Sequence, residues 1–269
     1  MRRRRGPIKL LRKYIVYKLI AKHRKGFGVH SPFTFTLLNK TLRENVPSEI
    51  KALARNYRRG FLSSKATLPR SILGAGALLS SGEQKNVLVS QIMQSSAISS
   101  RYGELLYLLS KHFGADDILE LGTGLGMSTF YLATGSPSSV LVSVEGHMPY
   151  ARLAEQELDN ADAVNVEIIT ASFKEALDKL KKERKRFGLF YIDGDHTLEA
   201  TLSNFNRCAE ISTQNAIFIF DDIHWSDEMD AAWEAIKQQD QCRISMDLFR
   251  MGIVFMNKKF QKQNYIVRY

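Results

Sequence analysis

The feature that most constrains the fold is a glycine-rich turn between an apolar run and a helix-like segment. Residues 118–126 read Ile-Leu-Glu-Leu-Gly-Thr-Gly-Leu-Gly, and an apolar run at 130–133 follows closely. This order predicts a buried strand, a tight turn and the first turn of a helix. Glycines keep Cβ atoms away from such a turn, so a ligand can lie against backbone at a helix N-terminus. We therefore expect a nucleotide-like cofactor at this corner.

The spacing of the glycines distinguishes between cofactor classes. Gly122, Gly124 and Gly126 follow a G-x-G-x-G pattern, whereas hydride-transfer dinucleotide sites normally show G-x-G-x-x-G. With Glu120 two residues before the first glycine, this form resembles the first motif of class I S-adenosylmethionine-dependent methyltransferases. A tight turn that binds no ligand is the alternative interpretation.

An acidic residue ends the next predicted strand. Residues 139–145 read Ser-Val-Leu-Val-Ser-Val-Glu, and the acid lies about twenty residues beyond the glycines. An acid in that position can accept both hydroxyls of a ribose. Glu145 is therefore a candidate cofactor ligand, and an exposed surface acid is the alternative.

Strands and helices alternate along the rest of the chain. The pattern predicts strands at 117–121, 140–144, 165–169, 188–192, 216–220, 243–249 and 251–257, and helices at 127–134, 148–159, 172–183, 197–210 and 227–238. Alternation with apolar strands indicates a parallel sheet with helices on both faces. A short turn around 249–252 joins the last two strands into an antiparallel hairpin. The predicted fold class is α/β, a doubly wound, seven-stranded, mainly parallel sheet.

An N-terminal helical extension precedes this sheet. Ser31 and Pro32 predict a helix start, and the chain then predicts helices from Pro32 to about Glu44, at 48–60, at 70–95 with a break at 74–76, and at 98–112. We divide the chain into a basic tail at 1–25, a helical extension and substrate cap at 26–95, and a methyltransferase domain at 96–269.

The positive charge is concentrated in residues 1–25. The net charge is +10, yet the tail holds eleven Lys and Arg and no acid, and the remainder holds 27 bases against 28 acids. Arg2–Arg5 followed by apolar residues predicts a helix on an anionic membrane surface. A solvated, loosely packed tail and contact with nucleic acid are the alternatives, because basic and apolar residues mix around the helix.

Two cysteines and the absence of long apolar runs indicate the compartment. Cys208 and Cys242 form no metal-like cluster, which favours packing roles and a reducing environment. No apolar run approaches the roughly 20 residues that span a bilayer. We expect a cytoplasmic protein, peripheral at the inner membrane surface where the tail binds lipid, and a homodimer stays an open alternative.

Acidic residues follow two further predicted strands. Residues 189–196 read Leu-Phe-Tyr-Ile-Asp-Gly-Asp-His, and residues 216–225 read Ala-Ile-Phe-Ile-Phe-Asp-Asp-Ile-His-Trp. The carboxyl ends of parallel strands meet at one rim, so Asp193, Asp221 and Asp222 should converge near the glycine turn.

Three converging carboxylates repel one another unless a cation or hydrogen-bond donors compensate. Oxygen ligands in this number suit Mg²⁺, with Ca²⁺ and Mn²⁺ as alternatives. N-capping of the following helices by Asp195 and Asp222 is the structural alternative.

In combination, these segments resemble the metal-dependent O-methyltransferases of the catechol and caffeoyl-CoA type and related sugar O-methyltransferases. The matching residues are 98–106, 119–128, 144–145, 191–196 and 220–225. Residues 1–95 have no counterpart in the characterised enzymes, and the segment 28–33 resembles the extension of an uncharacterised bacterial branch.

The resemblance implies a set of site residues. The implied cofactor-binding residues are Ile98, Ser99, Glu120, Gly122, Thr123, Gly124, Gly126, Ser128, Glu145, Ala171, Ser172 and Asp193. The methionine part would contact Gly122, Gly124 and Ser128. Glu145 would hold the ribose, and Ala171 with Ser172 would lie at the adenine. The family's three metal-ligand positions correspond to Asp193, Asp221 and Asp222.

Two positions depart from the family pattern. Asp222 stands where the family often has asparagine, and His196 stands where plant and animal enzymes place a lysine base. Histidine titrates near neutrality and can accept a hydroxyl proton. The implied catalytic residues are Asp193 and His196, with His224 as the alternative base. The metal would lower the pKa of the bound hydroxyl, and the oxyanion would attack the methyl group in line with the sulfur.

The predicted function is therefore S-adenosylmethionine-dependent methylation of a hydroxyl group on a small molecule, assisted by a divalent metal. A methyltransferase for RNA or another macromolecule and a non-catalytic S-adenosylmethionine-binding module are the alternatives. Nucleic acid is disfavoured as acceptor because the Asn/Asp-Pro-Pro-Tyr motif of amino-group DNA methylases and a Pro-Cys nucleophile are both absent.

Overall fold

A computed structural model describes residues 6–23, 26, 28–71 and 86–269 of the chain. The helices are α1 (Pro7–Ile20), α2 (Pro32–Asn39), α3 (Ser48–Ser63), α4 (Val89–Ser96), α5 (Ser100–Phe113), α6 (Met127–Gly135), α7 (Met148–Asn160), α8 (Phe173–Lys182), α9 (Leu198–Glu210) and α10 (Asp227–Gln238). The strands are β1 (Thr67–Pro69), β2 (Asn86–Leu88), β3 (Ile118–Leu121), β4 (Leu141–Glu145), β5 (Val166–Thr170), β6 (Phe187–Ile192), β7 (Ser212–Phe220), β8 (Ile244–Asp247), β9 (Gly252–Phe255) and β10 (Gln263–Ile266).

Eight of these strands form one sheet in the order β10-β8-β9-β7-β6-β3-β4-β5. The five strands from β3 to β7 are parallel, and β9 pairs antiparallel with both β7 and β8. The chain runs outward from β3 to β5 and then returns to β6 on the other side of β3. This reversal between β3 and β6 opens a crevice at the carboxyl ends of the strands, where ligands of this fold class bind.

Alternate strand residues pack on opposite faces of the sheet. Ile118 belongs to a core cluster with α5, α6 and the extension, whereas Leu119 belongs to a second cluster with α8, α9 and α10. Cys208 and Cys242 are buried free thiols in the second cluster, which agrees with the packing role predicted for them. Burial on both faces explains why these strands read as continuous apolar runs.

The predicted α/β fold class is confirmed, with one strand more than predicted. β10 pairs in parallel with β8 at the edge of the sheet. Its residues, 263–266, are mostly polar and only partly buried, since an edge strand packs less apolar surface than a central one. The strand therefore lacks the apolar run on which the sequence prediction depended.

The extension differs from its prediction in two places. Residues 70–71 are not helical and residues 86–88 form β2, which pairs with β1. The helix predicted at 70–95 is therefore wrong at these positions and is confirmed over 89–95. The remainder of that prediction at 72–85, with its break at 74–76, lies outside the described residues. The helix predicted from Pro32 ends at Asn39, and a 3-10 turn follows at Thr41–Arg43.

Helix α1 packs against the far end of the chain. The Tyr17 hydroxyl donates to the carbonyl of Val267 and accepts from the backbone N–H of Tyr269, and Tyr17 is buried. Its ring centroid lies 5.1 Å from that of Phe249. The described part of the tail is therefore docked on one side. Among the described residues, no helix combines the length and apolarity that crossing a bilayer requires.

Candidate functional site

The glycine turn after β3 combines one crowded position with one open position. Gly122 has φ +105°, and a Cβ there would lie 2.0 Å from the carbonyl oxygen of Asp193, so β3 and β6 can approach only with glycine. Gly124 has φ +55°, and a Cβ there would meet no atom within 4 Å. The turn thus leaves bare backbone facing open space at the start of α6, as a cofactor cradle requires.

The third glycine has a packing role. Gly126 precedes α6 with φ +77°, and a Cβ there would lie 2.6 Å from the hydroxyl oxygen of Tyr57. That hydroxyl donates to the carbonyl of Leu125 at 3.0 Å. Helix α3 of the extension therefore covers one side of the turn, and Gly126 is needed for this close contact.

Glu145 lies beside the open side of the turn. Its Oε2 accepts from the backbone N–H of Gly124 and its Oε1 from that of His147, both at 2.8 Å. Burial raises the pKa of Glu145, and these two hydrogen bonds oppose the rise. Each carboxylate oxygen keeps a further lone pair, so the fixed side chain can accept from two ribose hydroxyls.

Glu120 lies inside the corner between β3 and α6. Its Oε2 accepts from Thr129 at 2.5 Å and from Ser143 at 2.6 Å, and Ser143 in turn bonds to Thr123. Burial raises the pKa of Glu120 to about 7 against the effect of hydroxyl donors that include Ser128. This network holds the corner together, and within the described part of the chain Oε1 of Glu120 has no partner.

The residues predicted at the adenine follow β5. The backbone N–H of Ala171 donates to the carbonyl of Glu145 at 3.2 Å, which places Ala171 next to the ribose candidate. The Ser172 hydroxyl accepts from the backbone N–H of Glu175 and donates to its carboxylate, forming a capping box for α8. The backbone N–H of Ser172 also donates to the Glu175 carboxylate at 3.1 Å, so the polar groups of Ser172 are used in starting α8.

The residues predicted before α5 are split between core and surface. Ile98 is buried and its carbonyl accepts from Arg58, whereas Ser99 is exposed at the start of α5. In the first turn of α5, the Tyr102 hydroxyl donates to the carbonyl of Leu248 at 2.8 Å. This bond joins the start of α5 to the turn between β8 and β9.

A guanidinium group occupies the acidic cluster at the ends of β6 and β7. Arg250 donates from Nε to Oδ1 of Asp221 at 3.1 Å and from Nη2 to Oδ2 at 2.9 Å. Its Nε also lies 3.5 Å from Oδ1 of Asp222. Burial and the charges of Asp222 and Asp193 raise the pKa of Asp221 to about 7, and Arg250 opposes them.

His196 pairs with the third carboxylate. Its Nε2 lies 3.4 Å from Oδ1 of Asp193, and its ring centroid lies 5.7 Å from that of Trp225. Burial disfavours the protonated ring, but the hydrogen bond and charge of Asp193, with Asp222 and Asp221, raise the pKa of His196 to about 9. The structure thus brings together Asp193, His196 and the acidic pair, as predicted.

His224, the alternative base in the sequence analysis, has both ring nitrogens bonded to protein groups. Its Nδ1 bonds to Asp230, and its Nε2 bonds to Oδ2 of Asp247 at 2.8 Å. Lys13 of α1 also pairs with Asp230. With both ring nitrogens bonded to carboxylates and the side chain buried, His224 links α10, β8 and α1.

The described residues do not fit the predicted divalent-metal site. Among them, no group of three or more His, Cys, Asp or Glu side chains has an arrangement that could hold a metal ion. Instead, both oxygens of Asp221 accept hydrogen bonds from Arg250. We therefore derive no catalytic step through a metal at Asp193, Asp221 and Asp222.

Helix capping does not explain these acids either. The cap of α9 is Thr197, which accepts from Ala200, and the cap of α10 is Ser226, which accepts from Met229. Asp195 and Asp222 instead have φ of +60° and +51° in the loops before these helices. The capping alternative considered for both residues is wrong.

Arg250 is the residue of this cluster that the sequence interpretation missed. The position of Arg250 follows from the register between β7 and β9, in which Gly252 of β9 pairs with Phe220 of β7. An antiparallel partner brings the residues before Gly252 to the end of β7, where the acids are. The residue could be found only by pairing two segments that are about thirty residues apart.

The central part of the chain is similar in sequence to known proteins. Residues 119–223 match a family model described as a methyltransferase domain. A catechol O-methyltransferase of Niastella koreensis is 32% identical over 113 residues, covering 41% of this chain and 51% of that protein. A catechol O-methyltransferase of Mycobacterium tuberculosis is 28% identical over 129 residues, covering 47% and 57%. The chain thus spans about half the length of the curated relatives it matches.

Solved structures share the fold over most of the chain. An O-methyltransferase from Bacillus cereus in complex with S-adenosylhomocysteine superposes with a TM-score of 0.54 at 17% identity, covering 82% of this chain and 96% of that one. A Streptomyces achromogenes O-methyltransferase involved in tomaymycin synthesis, in complex with S-adenosylmethionine, gives 0.53 at 18%, covering 83% and 94%. These comparisons confirm the predicted Rossmann-like methyltransferase fold.

Proposed function

We propose that this chain, whose residues 119–223 form a methyltransferase domain, transfers a methyl group from S-adenosylmethionine to a hydroxyl group of a small molecule. The open position at Gly124, with Glu145 fixed beside it, is the observation that carries the proposal. The relatives named as catechol O-methyltransferases support a hydroxyl acceptor.

The cofactor would lie across the carboxyl ends of β3 and β4. Gly124 offers bare backbone to the methionine part, Glu145 accepts from the ribose, and the backbone after Ala171 borders the adenine. Bound S-adenosylmethionine supplies a methyl group activated by a positively charged sulfur. The chain's residues must then align the acceptor oxygen with the carbon–sulfur bond, since alignment supplies much of the acceleration.

His196 is the candidate proton acceptor in this proposal. Its ring would accept the hydroxyl proton as the acceptor oxygen takes the methyl group, and the carbon–sulfur electron pair would stay with the departing sulfur. Asp193 holds the ring and stabilises its protonated form. The assistance by a divalent metal predicted from the sequence is not carried into this proposal, because both carboxylate oxygens of Asp221 accept hydrogen bonds from Arg250.

The extension is proposed to be a substrate cap. Tyr57 of α3 packs against the glycine turn, and its ring lies 5.3 Å from that of Phe130 in α6. In the proposed division, a cap at 26–95 covers a catalytic domain at 96–269 through this contact, and a basic tail at 1–25 precedes both. Acceptor selection would then depend on residues outside the matched domain.

Calorimetric titration with S-adenosylmethionine tests the cofactor site. We expect Glu145→Gln to weaken binding about 10-fold or more, because hydrogen bonds to a charged group are lost. Glu167→Gln, an exposed acid on β5, is the matched control and should leave affinity unchanged. Equal affinity in wild type and Glu145→Gln would contradict the assignment.

Transfer of a labelled methyl group to catechol, to glycosides and to phospholipid headgroups tests the reaction. Methylation of any of these supports the proposal. Cofactor binding with no transfer to them would favour the non-catalytic module, and transfer only to RNA would favour the macromolecule methyltransferase.

We also propose that the outer side of α1 contacts an anionic membrane surface, which would make a cytoplasmic protein peripheral at the inner membrane. Ile8, Leu11, Ile15 and Leu19 share one helix face, opposite the buried Tyr17, and are 83%, 59%, 51% and 76% exposed. Lys9 and Arg12 flank this stripe, and residues 1–25 contain no acid. Apolar exposure with flanking positive charge suits anionic lipid.

Sedimentation with vesicles of phosphatidylglycerol or phosphatidylcholine tests this contact. We expect binding only to the anionic vesicles, and Leu11→Glu should weaken it at least about 10-fold. Val164→Glu is the matched control, since Val164 is 87% exposed and precedes β5 at the other edge of the sheet. No binding to either vesicle, or a Leu11-dependent dimer in solution, would overturn the proposal.

A further inference from the structure

The turn between β8 and β9 holds Arg250 firmly at the acidic cluster. The Arg250 carbonyl accepts from the backbone N–H of Ile223 at 3.1 Å, which ties the turn to the loop after β7. Within the turn, the N–H of Leu248 donates to the carbonyl of Met251 at 2.9 Å. The preceding Phe249 has φ +72°. The backbone that carries this arginine is therefore fixed relative to the acids that it meets.

The contacts of Arg250 bring one positive charge into the acidic cluster. The guanidinium forms a two-point hydrogen bond with Asp221 and reaches Asp222 from the same edge. His196 faces the remaining carboxylate, Asp193. A paired arrangement of this kind matches the planar geometry of both groups and is stronger than a single contact. A metal ion bound to the same oxygens would have to displace these N–H donors and would repel the guanidinium.

We propose that Arg250 replaces the divalent cation of this type of site and holds the acceptor oxygen during methyl transfer. The guanidinium uses Nε and Nη2 on the acids, and its Nη1 has no protein partner within the described residues. About 30% of the side chain is exposed. Two N–H groups are thus free to donate to an acceptor oxygen, and their positive charge favours the oxygen as it loses its proton.

This assignment rests on the proposed methyl transfer and adds a distinct chemical consequence. An arginine stays protonated throughout the range in which proteins are active, so its charge does not depend on metal supply. A chelator cannot remove it. The enzyme would therefore be a metal-independent methyltransferase built on a site whose acids resemble metal ligands.

Direct metal binding tests the assignment without any assay of activity. In titrations of the full chain with Mn²⁺, followed by electron paramagnetic resonance, we expect no stoichiometric binding to wild type. Arg250→Ala exposes Asp221 and Asp222, and we expect it to bind Mn²⁺. Arg207→Ala, which breaks an arginine–aspartate pair with Asp178 on α8, is the matched control and should behave as wild type. Stoichiometric Mn²⁺ binding to wild type would overturn the proposal.

Measurements of methyl transfer provide a second, independent test of the role of Arg250. Methyl transfer to the acceptor found in the catechol, glycoside and headgroup screen should be unchanged in EDTA. Arg250→Gln, which keeps hydrogen-bond donors without charge, should lower kcat about 100-fold while S-adenosylmethionine still binds. Added guanidinium ion should restore part of the activity of Arg250→Ala. Loss of activity in EDTA, restored by Mg²⁺, would contradict the assignment.

The two proposals can fail separately. Absence of S-adenosylmethionine binding to wild type would refute the proposed function, whereas the Mn²⁺ titrations would still decide whether Arg250 occupies the cation position. Cofactor binding and methyl transfer that require Mg²⁺ would refute the role of Arg250 alone. A circular dichroism spectrum equal to that of wild type identifies the variants that fold.

Discussion

Gly122 and Gly124 are two residues apart, yet an added methyl group would meet opposite surroundings. At Gly122 it would collide with the Asp193 carbonyl, and at Gly124 it would enter open space. We expect Gly122→Ala to destabilise the fold by at least about 3 kcal/mol, because backbone must move and φ is positive.

Gly124→Ala should cost only the strain of a left-handed residue, about 1–2 kcal/mol, but should weaken S-adenosylmethionine binding. Thermal unfolding and calorimetric titration of both variants separate these effects. The assignment of Gly124 to the cradle would be wrong if Gly124→Ala bound the cofactor as tightly as wild type.

The pH dependence of stability should identify the role of His224. Burial opposes its protonation, but Asp230 and Asp247 raise its pKa above the ordinary value. The protonated ring stabilises the folded state. This stabilisation is complete when the pH is below the pKa of histidine in the unfolded chain, near 6.5, and it is lost as the pH rises through the higher pKa of His224 in the folded protein. We therefore expect the difference in Tm between wild type and His224→Gln to be large at pH 6 and to shrink in alkaline buffer.

His30→Gln, an exposed histidine, is the control for that series and should show no such trend. A Tm difference that is constant with pH would show that His224 stabilises the fold by packing alone.

The dependence of the methyl-transfer rate on pH should differ from the one expected for a catalytic histidine with an ordinary pKa. His196 must lose its proton before it can accept another, and its pKa is raised to about 9. The rate of methyl transfer should therefore increase with pH up to about 9. A plateau beginning near pH 6.5 would indicate another base.

At the level of elements, Tyr17 is the buried side chain through which α1 docks on the rest of the molecule. Tyr17 provides two hydrogen bonds and a ring contact with Phe249. Tyr17→Phe should cost about 1 kcal/mol and Tyr17→Ala about 3–5 kcal/mol. Because α1 can open locally, the expected result is faster trypsin cleavage within α1, by more than about 100-fold for Tyr17→Ala. Unchanged cleavage would show that other contacts hold the helix.

The central elements could be predicted from sequence because their signals are local. Apolar runs mark the strands that are buried on both faces, and the glycine turn marks the β3–α6 corner. β10 and the β1–β2 pair could not be predicted, since short, partly exposed strands have little apolar pattern. The acids were predicted correctly at strand ends, but Arg250 depends on hairpin register, which no single segment shows.

On the scale of the whole molecule, the charge is divided between the tail and the rest. Residues 1–25 carry eleven positive charges, whereas the remainder is close to neutral. Replacing Arg2–Arg5 by serine should lower the salt concentration at which the protein leaves a heparin column, because fewer counterions are released. S-adenosylmethionine affinity should not change. Unaltered retention on heparin would place the polyanion contact elsewhere.

The contact between Tyr17 and Val267 also has a consequence for the order of folding. The two residues are 250 positions apart, so their hydrogen bond closes nearly the whole chain into a loop. Loop closure of this length costs conformational entropy before any contact is gained, which places such contacts late in folding. During refolding, the sheet and the glycine turn should form first. The aromatic cluster of Tyr14, Tyr17 and Phe249 should form last, beside the turn that carries Arg250.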